Sequence, residues 1–95
     1  MITKEELYKQ IDIMQTENQK GNAQRVKSNG EREWMHNRLN ELKTCIETND
    51  IENIKAIAGQ LGRIGAFDDQ LDDDFGTQLC RLANLLRSKY HFGIG

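Results

Sequence analysis

The sequence predicts an all-α protein in which a helical hairpin is flanked by an N-terminal and a C-terminal helix, the whole assembling into an oligomer. Three observations predict it. The 95 residues contain no proline, and almost no β-branched alternation asks for a sheet. Apolar side chains recur instead at i, i+4 and i+7 along successive stretches, which places them on one helical face. Finally, only 37% of the chain is hydrophobic, against about 45–50% for ordinary globular domains. A single domain spanning 1–95 with so little apolar material has a thin core when alone, and self-association is the simplest remedy.

The first helix begins at a capping box: Thr3 accepts from the backbone three residues on and Glu6 reaches back. Leu7, Ile11 and Met14 line its buried face. Past Met14 the apolar pattern stops. From Gln15 to Glu33 the apolar side chains are Ala23 and Val26, with Gly21 and Gly30 interrupting, so this stretch is expected either to fray into a loop or to be helix held against another subunit. Periodicity returns in a helix from about Glu31 to Thr48, with Trp34, Met35, Leu39, Leu42 and Ile46 on its apolar face. Asn49 or Asp50 caps the next helix, whose face is Ile51, Ile54, Ile57, Ala58 and Leu61. The short connection makes these two helices an antiparallel hairpin. Gly59, Gly62 and Gly65 are expected to allow close backbone approach and to end the helix. The run Asp68 to Asp74 leads into a last helix carrying Phe75, Leu79, Leu82 and Leu86, widened by Ala83, Leu85 and Tyr90. The tail from His91 is expected to be loose, or to dock through Phe92 and Ile94.

Several function classes are disfavoured. No run approaches the ~18 apolar residues of a membrane span, and the opening residues do not read as a signal peptide. Cys45 and Cys80 lack metal-site spacing and are read as reduced, half-buried residues of a cytoplasmic protein. His36 lies inside a helix and His91 in the tail, neither in a motif that would make it a general base, so the chain is read as a non-enzyme that needs no cofactor. The carboxylates Asp68, Asp69, Asp72, Asp73 and Asp74 suggest a calcium loop, but no glutamate follows at the position such a loop needs. Carboxylates at a helix N-terminus are the simpler reading.

Charge is uneven. Lys20, Arg25, Lys27, Arg32, Arg38 and Lys43 crowd one stretch, whereas Glu47 to Asp74 holds eight acids and only Lys55 and Arg63 as bases. The net charge of −2 argues against DNA as a partner, since that demands broad phosphate neutralisation. A small anion needs only a few cations and donors in a pocket. The polar stretch from Lys20 to Gly30 could supply them, with Tyr8 or Trp34 as a stacking face; a solvated interhelical linker has the same composition. Arg63, in Gly62-Arg63-Ile64-Gly65-Ala66-Phe67, is a second candidate. Its alternatives are an ion pair with a neighbouring Asp and an anion contact near a subunit axis.

The run Leu61-Gly62-Arg63-Ile64-Gly65-Ala66-Phe67, followed by Asp72-Asp73-Asp74-Phe75-Gly76-Thr77, closes a short helical chain whose first half carries a Trp-bearing helix and a polar break with Lys and Ser. In this layout the chain resembles the small phage anti-CBASS proteins, which sequester cyclic oligonucleotide signals. The resemblance implies interlocked helical homohexamers acting as sponges in the host cytoplasm, binding cyclic di- and trinucleotides without cleaving them. It also implies that Tyr8, Lys27 and Ser28 surround a cyclic dinucleotide. Arg63, with Thr77 second, would contact cyclic trinucleotides. From a different class, the expectation is a small inhibitor that binds a host protein through an exposed helix face.

Overall fold

A computed structural model describes residues 2–21, 29–68 and 71–92, with the side chain of Asn29 left aside. These form four α-helices: α1 (Lys4–Gln19), α2 (Asn29–Thr48), α3 (Ile51–Phe67) and α4 (Asp73–Tyr90). The all-α class therefore holds. Contacts run in a ring, α1 with α2, α2 with α3, α3 with α4, and α4 back to α1.

The helix starts follow the predicted chemistry. The Thr3 hydroxyl accepts from the Glu6 backbone and the Glu6 carboxylate accepts from the Thr3 N–H, both at 3.2 Å. Asp50 caps α3, accepting from the backbone of Asn53. Asp72 caps α4, its carboxylate accepting from the backbones of Asp74 and Phe75, which accounts for one member of the acidic run by local geometry. Between α2 and α3, Asn49 takes the left-handed conformation at φ 59. Its N–H donates to Ile46, and that of Asp50 donates to Cys45, the paired bonds of a Schellman ending. Asparagine suits that position because its short polar side chain tolerates positive φ.

Helix α1 continues past Met14 to Gln19, and the reason is polar burial. Leu7, Ile11 and Met14 are fully buried, and Asn18 continues the same stripe at 1% exposure, with Gln15 beside it at 8%. Gln15 Nε2 donates to Asn40 Oδ1 at 2.8 Å and to the His36 carbonyl at 3.3 Å, while Asn18 Nδ2 donates to the Arg32 carbonyl at 2.8 Å. Nearer the start of α1, Lys43 pairs with Asp12. Rising numbers on α1 thus meet falling numbers on α2, so these two helices run antiparallel. His36 is half-buried in this network, its Nε2 lying 3.3 Å from Asn40 Nδ2.

Helix α3 does not end at its glycines. It runs through Gly59, Gly62 and Gly65 to Phe67, because two of those glycines are spent on packing against α4. A Cβ at Gly65 would lie 2.6 Å from the Gly76 carbonyl oxygen and 2.9 Å from Leu79 Cβ; one at Gly76 would lie 2.8 Å from the Gly65 oxygen. At Gly62 the nearest atoms would be Ala83 Cβ at 3.4 Å and Arg87 Nη2 at 3.5 Å. Each helical glycine costs about 1 kcal/mol of propensity, offset here by backbones that meet with no side chain between them.

The buried core takes Leu7, Ile11 and Met14 from α1, Met35, Leu39, Leu42 and Ile46 from α2, Ile54, Ile57, Ala58 and Leu61 from α3, and Phe75, Leu79, Leu82 and Leu86 from α4, with Leu71. Ile51 and Trp34 depart from their expected faces, at 38% and 39% exposed. Of the tail, Phe92 is half-buried and packs on the core, while Ile94 lies outside the described residues. Cys45 and Cys80 are free and half-buried. The Cα radius of gyration of 12.4 Å matches the ~12–13 Å expected for a compact domain of this length.

Two predictions test this packing. Gly65→Ala is expected to cost about 1–3 kcal/mol by overpacking against backbone, whereas Gly30→Ala, with nothing within 4 Å of the new carbon, is expected to cost nothing; urea unfolding monitored by Trp34 fluorescence compares them. A double-mutant cycle on Gln15 and Asn40 is expected to give a coupling of about 0.5–1.5 kcal/mol, and additive effects would show that this bond does not hold α1 to α2.

Candidate functional site

Lys27 and Ser28 lie outside the described residues. The other three sequence-predicted positions fall in separate clefts, and the structure does not bring them together.

Tyr8 projects from α1, half-buried against the core. It opens on a groove with Glu5, Asp12 and Glu17, relieved by Lys9. Partial burial pushes its phenol above the usual 10, and the Glu47 and Glu5 carboxylates push it further. The surroundings that discourage a phenolate also discourage a phosphate. Thr77 is exposed in the first turn of α4, where its hydroxyl donates to the Asp73 carbonyl at 2.9 Å. Its cleft is flanked by Asp68, Asp72 and Asp73. Within the described lining of both places, acids outnumber bases.

Arg63 sits differently. Lys55, Gly59 and Arg63 recur every fourth residue along one face of α3, and they line a cleft of about 310 Å³ with Arg87 from α4 and Phe92 beyond it. Neither Lys55 nor Arg63 has a hydrogen-bond or ion-pair partner among the described residues, so the predicted alternative of an Arg63–Asp pair is not formed there. Arg87 donates to the neutral Asn84 Oδ1 at 3.0 Å. Among the described residues, Glu52 is the single carboxylate in the lining. Three cations therefore face one acid, within a half of the chain that is acidic by count.

Two cations of the basic stretch are differently employed. Arg38 pairs with Glu41 and lies 5.5 Å from the Trp34 ring centre, and Lys43 pairs with Asp12. Position within the fold, more than local density of Lys and Arg, decides which cations can take a ligand. Sequence reasoning found Arg63 but missed Arg87 and Phe92. The four-residue spacing could have joined Lys55 to Arg63; Arg87 required knowing that α4 packs with residue 83 opposite 62.

No histidine, cysteine or hydroxyl side chain lines the Arg63 cleft among the described residues. Burial pushes the Cys45 thiol up, and the nearby Asp50 and Glu41 carboxylates add to that, so the nucleophilic thiolate is disfavoured.

Comparison with known protein families, curated proteins and solved structures finds no match to this chain. Among the described residues, no helix is long and apolar enough to cross a membrane.

The two tyrosines give a pH prediction. Tyr90 is also pushed up, by burial and then by Tyr8. A folded-state value above the unfolded one means the stabilisation is complete below about pH 10 and is lost as pH rises through the folded values. Absorbance titration at alkaline pH is expected to show both phenols ionising late, with unfolding stability falling across the same range; normal titration with unchanged stability would contradict it.

Proposed function

We propose that this protein captures cyclic oligonucleotides at the Arg63 cleft and holds them uncleaved, as a homo-oligomer that keeps the signal from a host antiviral effector. The observation that carries the reading is the convergence of Lys55, Arg63 and Arg87 with one opposing carboxylate. Guanidinium groups bind phosphate oxygens through paired, charge-assisted hydrogen bonds, and those of Arg63 have no internal acceptor among the described residues to compete. The described lining holds no histidine, cysteine or hydroxyl side chain, which suits capture without turnover. Against ligands at micromolar levels, such capture needs roughly −8 kcal/mol or better. The host cytoplasm is the compartment where it would act. Tyr8, Lys27, Ser28 and Thr77 belong to this proposal only as contacts completed by other copies, since Tyr8 and Thr77 face acids within their own chain.

Assembly draws its support from exposed apolar side chains more than from composition, because the chain closes a continuous core by itself. Phe67 is 80% exposed on the rim of the Thr77 cleft, and Leu71 and Asp68 join that cleft to one of about 420 Å³ lined also by Trp34, Met35, Ile64 and Glu31. An apolar patch of this kind marks interaction surfaces. With α2 and α3 as the interlocking hairpin, it is the face through which hexamers would form. The same face favours a second reading, an inhibitor that docks on a host protein.

Titration calorimetry against cyclic di- and trinucleotides tests the capture. Arg63→Ala and Arg87→Ala are each expected to weaken binding about tenfold or more, from the ~1.5–3 kcal/mol of a charged hydrogen bond. The ligand recovered after heat denaturation is expected intact, and a linearised product would mean catalysis. Light scattering on wild type and Phe67→Asp is expected to show an oligomer that dissociates; a monomer that instead retains a host protein favours the second reading.

A further inference from the structure

Phe92 owes its place to the way α4 ends. His91 adopts φ 58, the left-handed conformation that closes a helix, and the next residue returns to the bundle. The Phe92 side chain packs against the core, yet it also lines the cationic cleft beside Arg63 and Arg87. An aromatic ring fixed by the protein and accessible from a cleft is a stacking platform for a flat ring.

The rest of the cleft fits one such ring with its phosphate. The α3 wall is low there, made by Ala56 and Gly59, and a carbon added at Gly59 would meet nothing nearer than Arg63 Nη2 at 4.0 Å. About 310 Å³ is at the small end of ligand pockets, about 300–1,000 Å³, so one nucleotide unit enters and the remainder of a larger ligand projects outward. Glu52 can only accept hydrogen bonds when ionised, which suits an amino or hydroxyl donor on the same unit.

We infer that Phe92 stacks the base of a single nucleotide unit whose phosphate is held by Arg63 and Arg87. This rests on the phosphate-binding reading of the cleft and adds a requirement for an aromatic base. Lys55 supplies a further positive charge, and Glu52 is the base- or ribose-reading acceptor.

The test is calorimetry on the full chain with adenosine 5′-monophosphate, ribose 5-phosphate and inorganic phosphate, repeated with Phe92→Leu and Gly59→Leu, each variant first shown to melt cooperatively. Wild type is expected to bind the nucleotide about tenfold or more tightly than ribose 5-phosphate. Phe92→Leu should erase that preference while still binding ribose 5-phosphate. Gly59→Leu, which fills the cleft and keeps every cation, should abolish binding of all three. Equal affinity for nucleotide and sugar phosphate in wild type, a preference that survives Phe92→Leu, or no binding at all overturns the inference. A cyclic dinucleotide run in parallel separates it from the proposed function. Binding that Arg63→Ala weakens and Phe92→Leu leaves unchanged sinks the base platform alone. A Phe92-dependent preference for the mononucleotide, with cyclic dinucleotides ignored, sinks the sequestration reading alone.

Discussion

At Gly65 and Gly76 the backbones of α3 and α4 approach until a single added carbon on either would lie within 3 Å of the other's carbonyl oxygen. Helices that meet this closely have no freedom to slide, since any shift in register drives Leu79 or Ala83 into the facing chain. The contact therefore sets the register of every residue pair along that interface. One turn back along α3, Gly62 lies against Ala83 and the Arg87 guanidinium, and that register carries Arg87 alongside Arg63. The cationic cleft depends on the glycine contact without touching it.

The opposite side of the molecule is joined by different chemistry. Where α3 and α4 meet through small residues, α1 is tied to α2 by amides, Gln15 to Asn40 and Asn18 to the Arg32 carbonyl. A buried amide whose partner is lost costs about 1–3 kcal/mol, so these bonds specify one register where apolar side chains alone would tolerate several. Asn18 Oδ1 is nevertheless buried with no partner among the described residues.

What could be read in the sequence divides along the same line. Helix starts were legible because a cap is a local matter: Thr3 with Glu6, and Asp50 and Asp72 with the backbones that follow. Apolar stripes were legible because burial follows a period of 3.6. The extension of α1 was not, since Gln15 and Asn18 continue the stripe with polar atoms whose partners are some 14 to 25 residues away. Nor was the continuation of α3, because glycine reads as a helix breaker until a facing backbone gives it a purpose. The candidate site was half legible for the same reason. Lys55 and Arg63 share one helix face, but Arg87 and Phe92 reach it only through tertiary contact.

The net charge of −2 and the cationic cleft are consistent once distance is considered. At physiological ionic strength a charge is felt over about 8 Å, far less than the 34 Å length of the molecule. A long polyanion spans many such lengths and meets the acids around Tyr8 and Thr77 as well as the cations around Arg63, so its net attraction is small. A small anion in the cleft lies among Lys55, Arg63 and Arg87, with Glu52 as the acid of the described lining. Under the proposed function, segregating the charges in this way would let a protein of acidic composition hold a small phosphate while offering little to a long polyanion. It is a discrimination by size that no average over the sequence reveals.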